Sequence, residues 1–135
     1  MENNDFLSET IELSLPLNAA YVAAARLTAS SIANRMSFDI DEIEDIKYAV
    51  SEACAFLIKK VSDDNRADFK IKFTIDENRL FIGFELKSTG KFTYGDDEMS
   101  ILMIKGLMDI FETSADDKGN FFMKLGKVHK EISFD

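Results

Sequence analysis

The chain has 135 residues, 46% of them apolar, and a formal net charge of −9 from 25 acidic against 16 basic side chains. That length suits one globular domain with its own core, and the apolar share excludes a disordered chain. The acidic balance excludes a general binder of phosphate backbones, which needs a basic face; a basic protein partner and a merely solubilising surface both remain open.

Residues 1–9 are polar and expected to be flexible, with residues 10–135 forming a single domain. The N-terminal MENNDFLSE lacks the basic segment of an export signal, and no apolar run approaches the roughly 20 residues of a membrane span. A soluble, cytoplasmic protein is expected. Thr10 to Leu15 alternates Ile11, Leu13 and Leu15 with polar residues, the pattern of a half-buried strand. Pro16, the only proline, ends it, and Asn18 can cap the helix that starts after it. From Ala19 to Met36 the apolar residues Val22, Ala25, Ala29, Ile32 and Met36 recur at helical spacing, and the alanines permit close packing.

Asp39 or Asp41 can cap a second helix running from Asp41 to Val61. Its residues Ile43, Ile46, Val50, Ala53 and Leu57 step by three and four along one face. Acidic residues at its start and Lys59 and Lys60 at its end suit the helix dipole, so both clusters read as helix-end charges on a solvated face. After a polar loop from Ser62 to Asp68, Phe69 to Ile75 and Leu80 to Leu86 alternate around the turn Asp76-Glu77-Asn78, predicting an antiparallel hairpin. Lys87 to Asp97 reads as a loop and Met99 to Ile110 as a third helix. Phe111 to Ser114, a turn over Asp116 to Gly119, and Phe121 to Val128 close the chain. The order β-α-α-β-β-α-β-β predicts an α+β fold: a two-layer α/β sandwich, its mostly antiparallel sheet carrying three helices on one face.

Metal and thiol chemistry find little support. His129 is the only histidine and lies in the charged segment KVHKE, which reads as surface. Cys54, the only cysteine, follows the core position Ala53 and reads as buried filler; a single thiol also favours a reducing compartment. Two residues of the second helix stand out. Glu52 lies about 200° round from Val50 at about 100° per residue, away from the apolar stripe. Phe56 lies at about 240°, where a polar residue is expected, so it covers a second apolar layer or plugs a cavity.

The segment IEDIKYAVSEACAFLIKK resembles the N-box helix of the anti-sigma-factor serine kinases, a branch of the histidine-kinase-like (GHKL, Bergerat-fold) ATPases. The resemblance extends from about Ile11 to Lys127, and its α/β sandwich agrees with the element order. It implies that Glu52 holds the position of the general base that takes a proton from a partner's serine. It places Phe56 at the asparagine that holds Mg²⁺, and phenylalanine offers no oxygen ligand. Ser88 and Gly90 fall on the Asp-x-Gly motif, with Ser88 where an aspartate reads adenine. Glu98 and Ser100 fall on the phosphate-cradling glycines, and an anion at Glu98 repels phosphate. Lys91 to Asp97 is a shortened lid, and Lys105 and Gly119 are further retained positions.

The resemblance therefore implies a regulatory, protein-binding domain with a vestigial ATP site and no cofactor. Its expected partner is a sigma factor or an anti-anti-sigma (STAS-type) protein, with Arg26 at the partner-binding surface or simply solvated, and with homodimerisation through the first strand. Two alternatives stay open: an active ATP- and Mg²⁺-dependent serine kinase using Glu52, and a pocket that now holds another small ligand.

Overall fold

The structure, a computed structural model, describes residues 8–61, 67–88, 95 and 98–130, with backbone alone for 67, 68 and 88. The expected loose segment up to Leu7, most of the loop from Ser62, the Ser88 side chain, Gly90 and the shortened lid apart from Gly95 lie outside the described residues.

Period-two alternation builds one antiparallel sheet from β1 (Glu9–Leu15), β2 (Ala67–Asp76), β3 (Arg79–Ser88), β4 (Ile110–Ala115) and β5 (Asn120–Val128). The strand order is β1-β2-β3-β5-β4, so β1 and β4 are the edges. Register aligns the apolar residues into three cross-strand rows: Phe69, Leu86 and Phe121; Ile71, Phe84 and Met123; Phe73, Ile82 and Leu125. All nine side chains are buried beneath the helices. Burial of each contributes about 1.5–3 kcal/mol, so these rows dominate the stability of the sheet. On the open face Phe122 lies over Gly83, and Phe81 and Ile110 lie over Gly126. A Cβ at Gly126 would come within 2.9 Å of Ile110, so that approach requires glycine.

Among the described residues three helices cover the other face: α1 (Val22–Arg35), α2 (Ile40–Lys60) and α3 (Met99–Leu107). The continuous helix expected from Ala19 divides into a 3₁₀ turn, Ala19–Tyr21, and α1. Asn18 does cap the turn, its Oδ1 accepting from the Ala20 N–H at 2.8 Å. Buried Ala25, Ala29 and Ala33 on α1 and Ala49 and Ala53 on α2 let these helices approach closely. At the end of α1 the Phe38 N–H returns to the Ala33 carbonyl and the Ser37 N–H to Asn34, a Schellman closure. Ser37 occupies the left-handed position there, with φ 67°. Asp39 starts α2 through a reciprocal capping box: its Oδ1 accepts from the Glu42 N–H, and Glu42 Oε1 accepts from the Asp39 N–H.

Three expectations need correction. α3 stops at Leu107 rather than Ile110. The Asp109 N–H donates to the Gly126 carbonyl and Ile110 pairs with Gly126, so sheet pairing takes the residues that helical spacing had claimed. His129 is not surface decoration. Its Nδ1 lies 3.1 Å from Glu42 Oε1, and its ring meets Phe38 edge-on at 5.3 Å between centroids. The acidic start of α2 is likewise more than a solvated helix end. Glu42 holds His129 and the Lys130 N–H, and Asp45 lies 3.1 Å from Lys127 Nζ. Among the described residues no helix is long and apolar enough to cross a membrane.

Candidate functional site

The outward flanks of α2 carry the polar residues that its core stripe excludes. On the α1 side, Arg26 Nη1 donates to Ser51 Oγ at 3.2 Å, which fixes Arg26 between two helices. On the α3 side the next residue, Glu52, accepts a hydrogen bond from Ser100 Oγ at 3.0 Å. One turn further along, Phe56 turns inward and is 2% exposed. Its ring centroid lies 6.3 Å from that of Phe121 and 5.6 Å from Lys60 Nζ. Phe56 thus belongs to the main core, between α2 and the start of β5.

Glu98 is the N-cap residue of α3, but its side chain makes no capping bond. Its carboxylate instead meets Lys60 Nζ at 2.7 Å and accepts from the Gly95 N–H at 2.9 Å. Lys60 first, and then the Gly95 N–H, hold the Glu98 carboxyl below the usual glutamate range. The end of α2 and the first turn of α3 are therefore joined by an ion pair next to the Glu52–Ser100 contact.

The fold brings Glu52, Phe56, Glu98 and Ser100 together, and it adds Lys60, which the sequence assigned only to the helix dipole. Arg26 stands on the opposite flank of α2, one residue away through Ser51. Gly119 has φ 93° in the β4–β5 turn, a conformation that accounts for glycine there without a ligand. Asp116 organises that turn, accepting from the Lys118 and Asn120 N–H groups. Lys105 is exposed on α3, its Nζ 5.4 Å from the Phe111 ring, and takes no part in the cluster. Ser88 ends β3 opposite Ala67, its side chain being outside the described residues.

Sequence reading missed Lys127. Its Nζ donates to the Leu107 carbonyl at 2.6 Å and to Asp45 at 3.1 Å, tying the last turn of α3 to α2 and β5. The signal was present: Phe121, Met123 and Leu125 step by two along the inner face, and Lys127 is the next inward position. A lysine there has to find partners in the fold.

Chemically, the cluster pairs a carboxylate with a hydroxyl and a carboxylate with an ammonium, over a buried ring. Cys54 adds nothing reactive: burial pushes its thiol up to about 12. Among the described residues no three histidine, cysteine, aspartate or glutamate side chains are grouped to hold a metal. Two cavities, of about 510 and 390 Å³, share Glu85 and Lys87 in their linings; neither is lined by Glu52 or Phe56, and the second reaches Phe121.

Comparison with known proteins agrees with this architecture. Proteins named serine-protein kinase RsbW from Bacillus thuringiensis (strain Al Hakam) and Bacillus anthracis are 45% identical to this chain over 74 residues. That match takes in 55% of this chain and 46% of each relative, so it spans less than half the length of those proteins. The crystal structure of the RsbU and RsbW domains of Rv1364c from Mycobacterium tuberculosis shares the fold, with a TM-score of 0.68 at 12% identity. It covers 89% of this chain and 32% of that one. Residues 15–122 match the family described as the histidine kinase-like ATPase domain, and the chain belongs to that family.

Proposed function

We propose that this chain is a regulatory, protein-binding member of its family, similar to an anti-sigma factor serine kinase but with a vestigial nucleotide site. The observation that carries this reading is Phe56. At the position where the family resemblance calls for a magnesium ligand stands a phenyl ring that is 2% exposed and packed near Phe121. Magnesium requires oxygen donors in near-octahedral geometry, and this residue supplies none. Glu98 adds a carboxylate where the resemblance calls for phosphate-binding glycine, so the residues present do not fit magnesium-bound ATP. The partner on this reading is a sigma factor or an anti-anti-sigma protein of the STAS type, in the cytoplasm. Arg26 belongs to the partner-facing surface. Among the described residues β1 pairs on one side only, with β2, and its other edge suits a second copy of the chain.

Isothermal titration calorimetry with ATP and magnesium tests the site directly. Absence of binding at millimolar nucleotide is expected, and micromolar affinity overturns the reading.

A second reading has its own support: Glu52 holds a serine hydroxyl at 3.0 Å, and the curated relatives are named serine-protein kinases. On that reading Glu52 takes the proton of a partner's serine as its oxygen attacks the γ-phosphorus of ATP, with ADP leaving. Labelled phosphate transferred to a partner protein, and lost in Glu52→Gln, would establish it over the first.

A further inference from the structure

α3 is a nine-residue helix, too short to hold itself together without tertiary contacts. Only two of its residues, Ile101 and Ile104, are fully buried. Met99, Leu102 and Met103 are exposed, at 70%, 49% and 36%. Leu107, at the foot, is partly buried against the core, so the head of the helix depends most on polar contacts, which occur at both ends. At the head, Ser100 is bonded to Glu52 and Glu98 to Lys60. At the foot, Lys127 holds the Leu107 carbonyl.

The head contacts differ in kind from the foot contact. Lys127 is 9% exposed and fixed among β5, α2 and α3. Glu52, Lys60, Glu98 and Ser100 are all partly exposed, so water and solutes reach them. A partly exposed ion pair is held weakly and exchanges readily with competing ions.

From this arrangement we infer that the first turn of α3 is an internal occupant of the candidate site, a releasable strap hinged at Lys127. Ser100 presents a hydroxyl to Glu52 as an incoming serine would, and Glu98 presents an anion to Lys60 as a phosphate or carboxylate would. A ligand carrying either group competes with the chain's own turn. Displacement frees the head of α3 while the foot stays anchored, and this moves the exposed Met99, Leu102 and Met103 surface. The inference rests on the proposed reading of the site and adds its regulation: the chain's own turn occupies Glu52 and Lys60 until a competing ligand displaces it.

The test uses the full chain and the double variants Glu98→Ala/Ser100→Ala and, as an isosteric alternative, Glu98→Gln/Ser100→Ala. Tripolyphosphate without magnesium is the probe, titrated by calorimetry, with hydrogen exchange of residues 99–107 followed by mass spectrometry. Removing the tethered anion beside Lys60 is expected to raise tripolyphosphate affinity about tenfold, since a unit charge at this range shifts binding on that order. Exchange in α3 is expected to rise about tenfold in the variants, and in the wild-type chain when tripolyphosphate saturates it. Variants that keep their far-ultraviolet circular dichroism but gain neither affinity nor exchange overturn the strap. Micromolar binding of ATP with magnesium by the wild-type chain overturns the vestigial reading instead, so the two failures are separable.

Discussion

Replacing Phe56 with asparagine asks whether position 56 is core or an opening. The side chain is 2% exposed, with the Phe121 ring at 6.3 Å and Lys60 Nζ at 5.6 Å. Truncating a buried phenylalanine costs about 3–5 kcal/mol, through lost transfer energy and the cavity left behind. An asparagine amide in that apolar layer adds about 1–3 kcal/mol if it finds no partner. Water entering the new space would offset the second cost but not the first, so a loss of at least about 3 kcal/mol is expected. Against a total stability of about 5–15 kcal/mol this is a large fraction, equivalent to a fall of about 10 °C in Tm for a domain of this size. Urea denaturation followed by circular dichroism measures it, with an unchanged m-value confirming that the unfolded state is comparable. A loss below about 1 kcal/mol would refute the reasoning, because it would mean that the ring lines an accessible pocket and the polar side chain is hydrated there.

Other expectations rest on single contacts. Lys127→Met keeps the volume but strips the Leu107 carbonyl of its donor; a cost of about 1–3 kcal/mol is expected by the same denaturation assay, with little from partly exposed Asp45. Ser37→Gly relieves the φ of 67° at the end of α1 and is expected to stabilise by about 0.5–1 kcal/mol, where a neutral or negative effect would count against strain at that residue. For Glu42, burial raises the carboxyl pKa, but bonds from the Asp39 N–H, His129 and the Lys130 N–H outweigh it and hold the carboxyl below the ordinary glutamate range. A depressed folded pKa means stability that is intact above the ordinary value near 4.5 and lost as pH falls further, through the folded pKa. The drop in urea midpoint between pH 6 and pH 3 (about the range in which carboxylates titrate) is therefore expected to shrink in Glu42→Gln. Cys54, with its buried thiol at about 12, is expected to resist disulfide-exchange reagents in the native chain and to react once in urea.

The sheet and the core face of α2 were legible because period two and period 3.6 each had one strong match. Phe69 to Ile75 and Leu80 to Leu86 could only alternate, and their register is fixed once the turn at Glu77 and Asn78 is set. The capping box was half legible: Asp39 and Asp41 both suited an N-cap, and the Asp39–Glu42 spacing singles out the first. The end of α3 was not legible, because Leu107 to Phe111 satisfies helical spacing and strand burial alike. Only the pairing of Ile110 with Gly126 decides it. The site was least legible. Glu52 and Phe56 could be singled out by angle on α2, but Ser100 lies 48 positions from Glu52, and His129 lies 87 from Glu42. Local periodicity carries no information about contacts at that separation.

The long-range contacts change what α2 is for. Its charged residues read as helix-end electrostatics, yet Glu42 fastens the segment after β5, Asp45 fastens β5, Ser51 meets α1, Glu52 meets α3 and Lys60 meets its N-cap residue. None of these links requires an asparagine at position 56. With a metal bound, an asparagine there would be satisfied; without one, it is an amide in an apolar layer and costs stability. Phenylalanine reverses the sign, adding buried apolar area against Phe121. On the proposed reading, in which the chain does not depend on nucleotide, folding stability alone favours the ring over the amide, because function does not oppose it. The same reasoning covers Glu98 and Ser100. Glycines there would leave the first turn of α3 loose and Lys60 without its ion pair, whereas Glu98 and Ser100 fasten that turn to α2 from within the chain.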